Sequence, residues 1–128
     1  MPAKVLIVDD VPDLRSLFRQ WLTNDGRFDV VGEAGDGIEA VEEATRLRPD
    51  LILLDIAMPR MDGLRAIPRL HAAAPGTRIL IVSGFESPAL AAEALEACAS
   101  DFVEKGAGLR DLAEKAHLIA SAPPKRCA

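Results

Sequence analysis

The sequence predicts an α/β domain. It should hold one parallel five-stranded sheet, doubly wound, with helices on both faces. Three observations predict this. Short apolar runs alternate with segments of helical period five times along 128 residues. The runs KVLIV, LILL and ILIV are unbroken in Val, Ile and Leu, as parallel strands buried on both faces are. Each run ends in a polar residue: Asp9 and Asp10, Asp55, and Ser83; a fourth, Phe102-Val103-Glu104, ends in Lys105. Repeated strand–helix units with short loops imply helices on both faces and right-handed crossovers. The strand order 2-1-3-4-5 fits best. It sets the ends of strands one and three side by side, where sites in open α/β sheets form.

The elements follow in order. Val5–Asp9 is the first strand. Leu14, Leu17, Phe18, Trp21 and Leu22 then form an i, i+3, i+4, i+7, i+8 stripe, which predicts a helix with one buried face. Pro12 suits its first turn, and Asn24-Asp25-Gly26 ends it. Phe28–Glu33 is a shorter strand near an edge. Asp36 and Glu39 resemble a capping box for a helix carrying Ile38, Val41, Ala44 and Leu47, which stops before Pro49. Asp50–Asp55 is the third strand. A helix from about Leu64 to Ala74 follows the loop Ile56–Gly63, with a slight kink or late start expected at Pro68. Arg78–Ser83 is the fourth strand. Ser87-Pro88 opens the fourth helix, which carries Leu90, Ala94, Leu95 and Cys98. Asp101–Lys105 is the fifth strand. Leu109, Leu112, Ala113 and Ala116 mark the last helix. From about Ser121 the chain reads as a tail.

Composition narrows the classes. A hydrophobic content of 49% supports a real core and argues against disorder. No apolar run approaches the ~18 residues of a membrane span. The start, Met1 to Lys4, lacks a signal-peptide pattern, so a cytoplasmic protein is expected, off the membrane. The net charge of −5 predicts no direct nucleic-acid binding by this chain. Cys98 and Cys127 show no metal-ligand spacing and read as free thiols. His71 and His117 read as residues of partly exposed helix faces.

The strand ends carry the chemistry. Crowded carboxylates repel, and a cation is the usual remedy; all-oxygen ligands suit Mg²⁺. Asp10 is assigned as a direct ligand and Asp9 as a ligand directly or through water. The Ala57 backbone carbonyl could add a third protein oxygen. Asp55 would be both ligand and nucleophile, forming an aspartyl phosphate. Phosphoryl transfer needs its three equatorial oxygens neutralised. Mg²⁺ would take one, the Lys105 ammonium a second, and the Ser83 hydroxyl with backbone N–H groups the third. Asp13 would only favour the first turn of its helix.

These residues resemble the receiver domains of two-component response regulators. The elements stand here as IVDD (7–10), LLDIAMPRMDG (53–63), IVSG (81–84) and FVEK (102–105). The resemblance covers nearly the whole chain. It implies a flavodoxin-like (βα)5 three-layer sandwich over residues 1–120, with 121–128 as a tail or the start of a linker. It implies Mg²⁺-dependent phosphorylation of Asp55 by a histidine kinase or phosphotransfer protein, in a signalling domain rather than an enzyme. It also implies a switch. Ser83 moves toward the phosphoryl group, Phe102 turns inward, and the face of the fourth helix, fifth strand and last helix changes. That face would be the natural surface for a homodimer on phosphorylation.

The chain departs from the family at several points. Phe102 lacks the hydroxyl of the commoner Tyr. Gly106 stands where a proline usually follows the lysine. Lysine without that proline, together with the stretch Val30 to Gly37, resembles receivers that precede a helix-turn-helix DNA-binding domain. Ala57 and Phe85, at positions that tune phosphoryl lifetime in the family, cannot hydrogen-bond an attacking water. A long-lived phosphorylated state is expected.

Other readings fit less well. A phosphatase resembling haloacid dehalogenases would want Asp-x-Asp after the first strand, whereas Asp9 and Asp10 are adjacent. No phosphate-binding glycine motif follows the first strand. The remaining alternative is a phosphorylation-independent, receiver-like protein-interaction module.

Overall fold

The computed structural model describes residues 2–55, 63–83, 96, 99–104 and 108–123. Five strands form one parallel sheet in the order β2-β1-β3-β4-β5. They are β1 (Ala3–Val8), β2 (Phe28–Ala34), β3 (Leu51–Asp55), β4 (Arg78–Ser83) and β5 (Asp101–Glu104). Between them run α1 (Pro12–Asp25), α2 (Gly37–Leu47) and α3 (Gly63–Ala73), and a last helix spans Leu109–Ser121. The doubly wound, flavodoxin-like architecture is the one expected. The helix expected from Ser87 to Cys98 lies outside the described residues, save Glu96, which is helical. Cys127 also lies outside them.

Successive strand residues point to opposite faces of a sheet, and here both faces are apolar. Leu6, Val8, Ile52, Leu54, Ile79 and Ile81 join one core cluster with Ala40 and Ala44 of α2 and Ile67 and Leu70 of α3. Val5, Ile7, Leu51, Leu53, Leu80 and Val82 join a second with Phe18 and Leu22 of α1 and Leu112, Ala113 and Ala116 of the last helix. This two-sided burial explains the unbroken apolar runs. Each fully buried Leu or Ile contributes roughly 1.5–3 kcal/mol.

The helix ends follow local chemistry. Pro12 opens α1 and Gly26, at φ 87°, closes it in the left-handed region that glycine adopts freely. Asp36 Oδ1 accepts the Glu39 N–H at 2.9 Å, capping α2. Pro49 disfavours helical geometry at Arg48, which turns to φ 47° while its N–H still reaches the Ala44 carbonyl.

Three details differ from expectation. Only Phe18 and Leu22 of the α1 stripe are buried; Leu17 and Trp21 remain 43% and 40% exposed. Phe18 and Leu22, four residues apart, lie nearly in line above the sheet, and residues one position earlier are turned about 100° away. On α2, likewise, Ala40 and Ala44 are buried while Ile38 is exposed. Pro68 does not delay α3, which starts at Gly63 and carries the proline inside it. A proline there removes the N–H that would meet the Leu64 carbonyl and crowds that carbonyl, which the helix accommodates.

The edge strand β2 is irregular. Val5 pairs with Val30 but Leu6 pairs with Gly32, so Val31 is an extra, bulged residue. Strict alternation would keep residues 28, 30, 32 and 34 on one face. Instead Phe28 and Val30 pack on the α1 side and Ala34 on the α2 side. Gly32 lies against α2 so closely that a Cβ would stand 2.5 Å from Leu47 Cδ1.

Arg27 ties the end of α1 to the last helix. Its Nε and Nη2 donate to the two Asp25 carboxylate oxygens at 2.6 and 2.9 Å, and Nη2 also donates to Glu114 Oε1 at 2.8 Å. These bonds hold both carboxyls below the usual carboxylate range. A carboxyl lowered in the folded state stabilises it above the ordinary pKa. That contribution is lost as the pH falls through the lowered value. The Arg27→Gln variant should therefore be modestly less stable than the parent at pH 7 and converge with it near pH 2. Urea midpoints at the two pH values measure this.

Candidate functional site

The central pairing of β1 and β3 builds the site. Val8 lies in register with Leu54, so Asp9 and Asp55 emerge side by side at the carboxyl edge of the sheet. Asp10 follows Asp9 on the turn into α1. Carboxylate oxygens of Asp9, Asp10 and Asp55 all lie within 4.8 Å of one another. Asp9 and Asp55 are 1% and 5% exposed, and Asp10 is open to solvent. Three negative charges this close, two of them out of water, repel strongly. The donors are all hard oxygens with an open side. That set fits a divalent cation such as Mg²⁺, which binds through few carboxylates and keeps several waters.

Three polar groups of Asp9 are held by named partners. Its N–H donates to the Ala34 carbonyl at 3.1 Å, and its Oδ1 accepts the Val11 N–H at 2.9 Å. Its carbonyl accepts Arg15 Nη1 at 2.6 Å. Arg15 and Glu33 were not singled out by the sequence. Their pairing depends on the bulge in β2, and nothing in the local pattern announces it.

The other expected residues are distributed as follows. Asp55 pairs with Val82, which places the Ser83 backbone one residue further along the same edge. Phe102 lies half-buried on edge strand β5, opposite Ile81 and packed against the α2–α3 core. Lys115 of the last helix donates to the Phe102 carbonyl at 2.9 Å, and its ammonium stands 5.6 Å from the ring centroid. Ala57, Phe85, Lys105 and Gly106 lie outside the described residues. His71 and His117 are half-buried on helices, as expected.

A cavity of about 570 Å³ opens at the opposite edge of the sheet, beside Arg27, Asp50, Arg78 and His117. Its arginines are engaged by protein groups: Arg27 by Asp25 and Glu114, and Arg78 by the Ala122 carbonyl at 3.0 and 2.6 Å. The carboxylates that converge are at the other end.

Known proteins share this fold. The family pattern described as Response regulator receiver domain matches residues 5–117. The chain is 39% identical over 105 residues to the chemotaxis protein CheY of Thermotoga maritima, covering 82% of this chain and 87% of that protein. It is 44% identical over 104 residues to a protein-glutamate methylesterase/protein-glutamine glutaminase of Geobacter metallireducens. That match covers 80% of this chain but spans only 29% of the relative, so the esterase named there is not carried over. Among solved structures, the response regulator domain of Thermotoga maritima CheB superposes with a TM-score of 0.88 at 34% identity, covering 97% of this chain and all of that one. The signal receiver domain of the NarL regulator from Mycobacterium tuberculosis gives 0.89 at 31% identity, covering 94% and 98%. Receiver domains generally bind Mg²⁺ at such an acidic cluster. No helix among the described residues is long and apolar enough to cross a membrane. With its sheet order, its converging aspartates and these relatives, the chain belongs to the receiver domain family of two-component response regulators.

Proposed function

We propose that this chain accepts a phosphoryl group on Asp55 from a histidine kinase or phosphotransfer protein in the cytoplasm. The observation that carries this reading is the convergence of Asp9, Asp10 and Asp55, with the acceptor itself buried. An Asp55 carboxylate oxygen attacks the phosphorus of a phosphohistidine. The P–O bond forms as the P–N bond breaks, and the leaving imidazole nitrogen takes up a proton. Mg²⁺, when bound, would supply charge neutralisation to the carboxylates and to one phosphoryl oxygen. Asp9, Asp10, Asp55 and the Ala57 carbonyl would hold it. The Lys105 ammonium and the Ser83 hydroxyl would meet the other two oxygens.

Residues 1–120 form the receiver in this reading, and 121–128 a tail or the start of a linker. Ser83 and Phe102 would carry the switch. The face of β5 and the last helix, where Leu118 is 67% exposed, would deliver the output and support a homodimer on phosphorylation. A net charge of −5 leaves nucleic-acid contact to other proteins or domains. Leu17 and Trp21, four positions apart on α1, are exposed and would offer an apolar contact to the phosphodonor.

Incubation with acetyl phosphate and Mg²⁺ should add one phosphoryl group by intact mass, and none in Asp55→Asn or with chelator. No gain in folded protein would favour the phosphorylation-independent module. In chelator, Asp10→Asn should raise the thermal midpoint by about 3–5 °C, because it removes roughly 1 kcal/mol of repulsion. Mg²⁺ should then stabilise the variant less than the parent, as thermal scans would record. Trp21→Ala should leave labelling by acetyl phosphate unchanged and slow transfer from a phosphorylated histidine donor.

A further inference from the structure

A charged network links the edge strand to the acid turn. Arg15 Nη1 donates to the Asp9 carbonyl at 2.6 Å. The same guanidinium donates through Nε to Glu33 Oε1 at 3.1 Å. The other Glu33 oxygen accepts Arg19 Nε at 2.6 Å. Arg15 and Glu33 are sheltered, with side-chain exposures of 20% and 30%, whereas Arg19 is 43% exposed. Partial burial makes such bonds stronger and more directional than open surface pairs.

The bulge at Val31 makes this network available. It reverses the alternation of β2, so that Glu33 comes to the α1 face while Ala34 turns to the α2 face. Ala34 then supplies the carbonyl that accepts the Asp9 N–H. Two successive residues of β2 therefore control the backbone of Asp9. Ala34 holds its N–H directly, and Glu33 holds its carbonyl through Arg15. Arg19 shares Glu33, but its bond to Glu33 leaves the Asp9 carbonyl to Arg15.

We infer that Arg15, aimed by Glu33, is a positioning residue for the metal site: it fixes the β1–α1 turn so that the Asp9 carboxylate faces Asp10 and Asp55. This rests on the reading of those aspartates as Mg²⁺ ligands. Partners of this outer kind commonly change metal affinity by 10–100-fold when removed. Arg15 meets the site at the Asp9 carbonyl. Its effect passes through the Asp9 backbone.

The test compares Mg²⁺ titrations of the full chain, followed by amide chemical shifts, with amide exchange at Val11 in metal-free buffer. Val11 is informative because its N–H is bound to Asp9 Oδ1. Arg15→Gln should raise the Mg²⁺ dissociation constant roughly tenfold and speed Val11 exchange. Arg19→Gln, which loses the same charge and the same Glu33 partner, should match the parent in both. Glu33→Gln should show a smaller rise in the same direction, and it decides the matter if Arg15→Gln does not fold. Parental Mg²⁺ affinity in Arg15→Gln, or an equal loss in Arg19→Gln, would overturn the inference while leaving the metal reading intact. A parent that binds no Mg²⁺ would overturn both.

Discussion

The parallel pairing of β1 with β3 is the constraint on which the rest depends. Both strands lie inside the sheet and are buried on both faces, so their side chains must be apolar until the strand ends. Polar chemistry is thereby expelled to the carboxyl edge, and the register fixes which residues meet there. Val8 against Leu54 sets Asp9 beside Asp55. A one-residue slip would move every core side chain of the strand to the wrong face. The hydrophobic core therefore enforces the geometry of the acids.

That enforcement has a cost. Three carboxylates crowded into partly dehydrated space oppose folding unless something balances them. The surroundings of Asp9 show how the chain manages part of it. Backbone N–H groups and one guanidinium surround the turn with positive character without filling the open side of the cluster. The opposite edge of the sheet carries ordinary charge pairs such as Arg27 with Asp25 and Glu114.

Much of this was legible in the sequence. The strand runs, the order of the sheet, the Asp36 cap and the Gly26 terminus follow from local chemistry that tertiary packing left intact. The aspartates were legible because a strand end is a place as well as a residue type. The failures have physical causes. Leu17 and Trp21 fit a helical stripe, but a flat sheet buries a narrower line than the stripe's width. A late start at Pro68 did not occur, because a helix anchored by Ile67 and Leu70 in the core tolerates one missing bond. Arg15 and Glu33 escaped notice because their contact spans 18 positions and depends on one bulged residue, which no periodicity reveals.

The same bulge bears on how the molecule behaves among its neighbours. β2 is an outer strand, and a straight, regular outer strand is a template on which another chain can add. Val31 interrupts the ladder on the inner side and bends the strand, so a regular incoming strand cannot match its spacing along the full length. Glu33 and its two arginines add charge beside that margin. The irregularity that serves the acid turn thus also discourages edge-to-edge growth at β2.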